Sequence, residues 1–261
     1  MVFQLSRLGL YINEQKSVTT QLTVLPLFHS CECYDSIQVF QDLQLTARHC
    51  KVFGEDLLYF FYGKPAYPAG EEIEGNRTDC DYCPVCFVVD PHKVNIDRVF
   101  PFDSGAFKKK KYKDFMFRRT KLEDYLLDSS LDAILDYITL FYTSNHNYIR
   151  GIASNSLPQR SPQIDGLIRL LHATGTLNID ERSHTVEVIT KDNVQLLEAV
   201  ECVILPEDLL RDDSVREFFD CNNILHLEYT VRALTPPSRY NEAVFDKVMD
   251  FLKARNQDGD L

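Results

Sequence analysis

The apolar positions of this chain change their spacing several times, and each change predicts an element. Leu22 to Phe28 is an apolar run broken only by Thr23 and Pro26, which fits a strand buried on both faces. The N-terminal 25 residues otherwise alternate weakly and predict an edge strand or hairpin. Over Cys33 to Asp42, with Ile37, Phe40 and Leu43 spaced by three, a short helix is expected, capped by Asp35 or Ser36. Leu57 to Tyr62 reads as a second strand, ended by Gly63-Lys64-Pro65. Residues 68–81, rich in Gly, Glu, Asp and Pro, read as an exposed loop. Pro84 to Val89 is the next strand, stopped by Pro91.

Between Leu122 and Ser144 the period becomes helical, through Leu126, Leu127, Leu131, Ile134, Leu135, Ile138 and Phe141. That predicts an amphipathic helix pair, or one helix interrupted near Ser129-Ser130. Ile164 to Ala173 is a shorter helix with Gly175 at its end. Strands return at Thr185–Ile189 and Val200–Leu205, followed by a helical stretch from Asp213 to Phe219 and an extended one from Ile224 to Val231. The last helix carries the stripe Tyr240, Val244, Val248, Phe251 and Leu252, with Ser238 as its expected cap behind Pro236-Pro237. Strands early and late with helices between them predict a mixed α+β fold, in one domain over 1–261.

Composition narrows the class. The 261 residues are 44% hydrophobic and 26% charged, an ordinary globular balance. A chain of this length can bury roughly 70–75% of its unfolded surface, so it needs neither disulfide nor metal to hold together. The net charge of −11 argues against nucleic-acid binding through overall charge, while leaving room for a local basic groove. The densest apolar run, Leu57 to Tyr62, falls far short of the ~20 residues of a membrane helix. Met1 to Lys16 lacks the plan of a signal peptide. No membrane association and a cytoplasmic location are therefore expected, with the eight cysteines reduced and mostly acting as small buried hydrophobes.

Several groups carry candidate chemistry. Cys80, Cys83 and Cys86 with His92 supply four ligands of the two types suited to zinc. There is no second Cys-x-x-Cys, and Cys86 begins an apolar run, so ordinary thiols are the favoured reading. Lys108–Lys111 and Lys113, with Arg118 and Arg119, form either a solvated face or a rim that steers a polyanion. His29 emerges at the end of the first strand, sharing a face with Leu25 and Leu27, and reads either as a ligand contact or as a core histidine. Tyr59, Tyr62 and Tyr67 offer rings for stacking or for core packing. Glu187 projects from an otherwise apolar strand, opposite Val186 and Val188, towards either a site or solvent. Walker loops, nucleophile elbows, His-Glu-x-x-His and dinucleotide glycine fingerprints are missing from the sequence.

In chain order, three segments resemble ADP-ribosyltransferases of the His-Tyr-Glu type. Leu27-Phe28-His29-Ser30 with the helix after it is similar to that family's opening strand. Asp56-Leu57-Leu58-Tyr59-Phe60-Phe61, trailed by Tyr67, looks like its second. Arg182-Ser183-His184-Thr185-Val186-Glu187-Val188, feeding Val200 to Pro206, looks like the strand bearing the catalytic glutamate. Two departures stand out: Ser30 occupies the place of a common Gly, and Thr185 stands where arginine-modifying members have an acid.

The resemblance implies a split mixed β-sheet core with a C-terminal helix and a helical insertion at about 118–175. It implies an NAD-dependent transferase, of the kind found among toxins and defence proteins, that passes ADP-ribose to a nucleic acid or protein or hydrolyses NAD. Glu187 and His29 would be catalytic, with NAD as co-substrate held by His29, Ser30, Arg48, Tyr59 and Tyr67. A carboxylate near the ribose would stabilise the oxocarbenium charge that develops on cleavage. The competing expectation is a non-catalytic binding or scaffold module, including an inactive relative of that fold.

Overall fold

The computed structural model describes residues 5–15, 22–68, 80–157, 161–173 and 179–255. Most of the expected loop over 68–81, and Gly175, lie outside the described residues. In chain order the first half contains α1 (Arg7–Gln15), β1 (Leu27–Glu32), α2 (Cys33–Asp42), β2 (Gln44–Leu45), β3 (Arg48–Cys50), β4 (Glu55–Tyr62), β5 (Pro84–Val89), β6 (Arg98–Phe100) and α3 (Ser104–Lys108). The second half contains α4 (Leu131–Tyr142), α5 (Asn145–Ile149), α6 (Pro162–Leu171), β7 (Glu187–Thr190), β8 (Val194–Gln195), α7 (Leu196–Ala199), β9 (Val200–Pro206), α8 (Asp213–Asn222), β10 (Leu225–Tyr229) and α9 (Tyr240–Arg255).

A strand that is apolar at every position must be covered on both faces, and β5 is such a strand: all six residues are buried. It lies inside a mixed sheet of order β10-β9-β5-β1-β4-β7-β6, with β3 paired to the outer part of β4. The β9–β10 pair is parallel and is joined through α8, as a parallel pair requires a crossover. The other pairs on this path run antiparallel. α2 and α8 cover one face of the β5 region, where the Phe40 ring packs 5.7 Å from Phe87 and 4.9 Å from Phe218. The buried stripe of α9, Tyr240, Val244, Val248, Phe251 and Leu252, packs against β5, β9 and β10. The fold is thus mixed α+β, with a mixed sheet and a C-terminal helix. Helices α4 to α6 fall between β6 and β7, within the span where the helical insertion is expected.

Several expectations are corrected at element ends. The N-terminus forms α1, not an edge strand or hairpin. Leu8, Tyr11 and Ile12 are its buried positions, and their spacing of three and one is helical. β1 begins after Pro26, whose missing N–H cannot join a ladder. The strand then runs on to Glu32, so His29 sits in mid-strand and not at its end. α2 starts at Cys33 with neither Asp35 nor Ser36 as cap; the Ser36 hydroxyl instead donates to the Cys33 carbonyl at 2.7 Å. Ser238 lies inside a one-turn 3-10 helix, Pro237–Arg239, that leads into α9, and does not cap it. The helical stretch near Ser129-Ser130 is interrupted. A 3-10 turn over Leu122–Tyr125 precedes α4, which Ser130 caps through Ala133 N–H. Lys108 closes α3 and the rest of the lysine run follows in turns.

Where β4 ends, Tyr148 of α5 joins three elements. Its hydroxyl donates to the Tyr62 carbonyl at 2.7 Å and accepts from Val186 N–H at 2.9 Å. Gly63 makes this approach possible. Its φ of +73° suits glycine, and an added Cβ would lie 2.8 Å from Leu25 Cδ1 and 2.9 Å from Tyr148 Cε1. Gly54 has a similar φ of +71° but open space around it. Gly63→Ala should therefore cost the ~1–2 kcal/mol of a left-handed residue plus ~1–3 kcal/mol of overpacking, and Gly54→Ala only the first. Urea unfolding of the two variants checks this; equal losses would show that the Tyr148 contact relaxes freely.

Candidate functional site

The site begins with an unequal pairing. β1 is matched to β5 from Leu27–Val89 to Glu32–Pro84, but to β4 only at Leu27–Tyr62 and Phe28–Phe61. Beyond Phe28 the two strands part, and β4 continues as a hairpin with β3, Arg48 opposite Leu57 and Cys50 opposite Glu55. A cavity of about 830 Å³ opens in the gap, bounded by β1, α2 and the β3–β4 hairpin. His29, Ser30, Arg48 and Tyr59 all line it. So do residues that the sequence reading did not single out: Asp35 and Asp42 on α2, and His49 and Cys50 on β3. The signal for these was the short Arg48-His49-Cys50 segment before the Gly54 turn, too brief to read as a strand.

His29 takes the place of the lost ladder. Its ring lies 5.8 Å from that of Phe60 and 6.4 Å from that of Phe87, and Nδ1 is 2.9 Å from the Tyr59 carbonyl oxygen. A carbonyl only accepts, so the ring proton is assigned to Nδ1 and Nε2 is left as an acceptor. Burial holds the His29 pKa below its usual value, against the opposing pull of the Tyr59 carbonyl, which keeps the ring neutral at neutral pH. The Tyr59 hydroxyl donates to Cys50 Sγ at 2.7 Å, and burial, then that thiol, raise the phenol's pKa. Arg48 pairs with Asp35 at 3.4 Å on the exposed rim. The cleft thus combines an apolar floor of Leu45, Leu57 and Leu58 with charges of both signs.

Tyr67 and Glu187 are not part of this group. The Tyr67 hydroxyl lies 3.0 Å from Ser30 Oγ, and by strand alternation Ser30 faces away from His29. Tyr67 lines a separate cavity of about 500 Å³ with Asp180, Glu181 and Phe245. Glu187 stands opposite Phe61 and Phe100 in the ladder. Phe61 pairs in turn with Phe28, so alternation puts Glu187 on the face opposite His29 and on the same face as Tyr59. It is only 3% exposed and does not line the cleft. Ser104 N–H donates to its Oε2 at 3.2 Å. Burial, then the neighbouring Asp103, push its pKa well up. The solvent-facing alternative is corrected: Asp103 and Ser104, the cap and first residue of α3, close over this carboxyl.

Of the four candidate zinc ligands, Cys80 and Cys83 share one turn, and Cys86 and His92 lie apart from them. Cys86 lies inside β5 opposite Ser30, and His92 is exposed in a 3-10 turn after that strand. Among the described residues no group of three His, Cys, Asp or Glu side chains is arranged to hold a metal. No helix among the described residues is long and apolar enough to cross a membrane. The chain matches no family model, no curated protein and no solved structure.

The buried Glu187 makes a checkable contribution to stability. Its folded pKa is raised, so the folded state holds a proton that the unfolded state releases. The favourable contribution is complete below the unfolded carboxyl value of about 4.3 and is lost as the pH rises towards and through the folded value. Glu187→Gln keeps the shape without the titration. In urea unfolding between about pH 5 and about pH 8, the variant should lose less stability than the parent protein. Parallel pH profiles would show that Glu187 titrates alike in both states.

Proposed function

We propose that the cleft between β1 and β4 binds a dinucleotide of the NAD class, and that the chain is a recognition module and not a transferase working through Glu187. The observation that supports this reading is the make-up of the cleft: His29, Ser30, Arg48 and Tyr59 line it, whereas Glu187, on the face of Tyr59 but opposite His29, is buried against Ser104 and does not.

The chemistry of the lining suits such a ligand. NAD carries a cationic nicotinamide ring and an anionic diphosphate. The cleft offers Asp35 and Asp42 to the first, Arg48 to the second, and apolar Leu45, Leu57 and Leu58 to a flat ring. A neutral His29 with Nε2 free to accept suits a ribose hydroxyl. Cleaving the nicotinamide–ribose bond would need a carboxylate held against the developing positive charge, and Glu187 is not in the cleft to provide one. A nucleic acid or other polyanion as macromolecular partner rests on the lysine run alone, where Lys108, Lys109, Lys110, Lys113, Arg118 and Arg119 are exposed.

Calorimetry and thermal shift with NAD test the assignment. Saturation at ~100 times Kd should stabilise the fold by ~2.7 kcal/mol. Arg48→Ala removes an exposed side chain and should weaken binding about tenfold or more, as loss of a charged hydrogen bond does. No nicotinamide should be released. Absence of binding would end the cleft assignment. Nicotinamide release that Glu187→Gln abolishes would restore the transferase reading.

A further inference from the structure

Away from the cleft, three cysteines meet that the sequence separates. Cys80 and Cys83 are the ends of a Cys-x-x-Cys turn, closed by Cys83 N–H donating to the Cys80 carbonyl at 2.8 Å. Cys33, the first residue of α2, donates its N–H to the Cys83 carbonyl at 2.9 Å, which pins the turn to the helix start. The Cys80 sulfur receives side-chain hydrogen bonds from both Cys33 and Cys83. Cys33 and Cys83 are buried, whereas Cys80 is half-buried. One partly buried cysteine is thus backed by two enclosed thiols.

We propose that Cys33, Cys80 and Cys83 form a redox site, in which Cys80 reacts with a hydroperoxide and closes a disulfide with Cys83. The arrangement favours a thiolate at Cys80. Hydrogen bonds from Cys33, then from Cys83, outweigh its partial burial and hold its pKa below the usual thiol range, with Arg211 adding to the effect. The other two thiols are held well above the usual range, Cys33 and Cys83 each first by the bond to Cys80 and then by burial, so they remain proton donors. A Cys-x-x-Cys turn next to a helix N-terminus is a setting in which thiolates become accessible.

The chemistry balances in two steps. The Cys80 thiolate attacks one peroxide oxygen. The O–O bond breaks, Cys80 becomes a sulfenic acid, and the leaving alkoxide or hydroxide takes a proton from solvent. The Cys83 thiol then attacks the sulfenic sulfur, forming the disulfide and releasing water. Two electrons pass from the sulfurs to the peroxide, and an external dithiol restores the reduced pair. One turn of 3-10 helix keeps Cys80 and Cys83 within the reach a disulfide requires.

The test uses the reduced full chain and hydrogen peroxide. After one equivalent of peroxide, a peptide map should show a disulfide between Cys80 and Cys83. Cys83→Ser should instead leave a sulfenic acid on Cys80 that a dimedone reagent labels, and Cys80→Ser should abolish both products. Independently of any variant, alkylation of Cys80 in the native chain should proceed at a rate nearly independent of pH between about 5 and 7. In the urea-unfolded chain it should rise about tenfold per pH unit, as for an ordinary thiol. A Cys80 rate that rises just as steeply in the native chain would overturn the proposal. So would a stoichiometric zinc ion, retained by the reduced chain, that shields the three thiols.

Discussion

The pairing of β1 decides where this molecule has an interior and where it has an opening. β5 holds β1 along all six residues, whereas β4 holds it at two. Two strands that part cannot leave their polar groups unmet, and His29 meets one of them by giving its ring proton to the Tyr59 carbonyl. The same bond leaves Nε2 as an acceptor, so the group that repairs the ladder also equips the gap. α2 and the β3–β4 hairpin then form the walls, because both follow directly from the ends of the parted strands.

The opposite face of β7 obeys a different constraint. Glu187 sits between apolar neighbours, Phe61 on one side and Phe100 on the other, and a buried carboxylate without a counter-charge is costly. Arg182, the cation that pairs with the neighbouring Asp103 at 3.4 Å, is also engaged by Asp180 at 2.8 Å. The hydroxyl and backbone N–H of Ser104 together do not offset burial and the charge of Asp103, so the group is held towards its neutral form. A neutral acid there brings no full charge to the cleft residues it interacts with, Tyr59 and Cys50. Strand alternation separates Glu187 from His29 but not from Tyr59, which shares its face.

α2 connects the features that remain. Its first residue, Cys33, belongs to the thiol cluster, and Asp35, Val39 and Asp42 further along it line the cleft. Its buried face, with Phe40 against Phe87 and Phe218, anchors it to the sheet and to α8.

What was legible in the sequence follows from how local each cause is. β4 and β5 are continuous apolar runs and α9 carries a complete stripe, so local pattern identified all three. α1 was missed because its three buried residues compete with a weak alternation in the same window. His29 and Tyr59 were each legible beside or within an apolar run, but not the parting of β1 from β4 that brings the His29 ring to the Tyr59 carbonyl. The depth of Glu187 was not, because Asp103 and Ser104, which cover it, come more than eighty residues earlier. The thiol cluster is the clearest case. Sequence spacing groups Cys80 with Cys83 and Cys86, but alternation along β5 turns Cys86 towards Ser30. Cys33 takes the third place because Glu32, its neighbour in the chain, pairs with Pro84, the neighbour of Cys83. One register pair between β1 and β5 thus chooses which cysteines meet, and no spacing within either segment contains that choice.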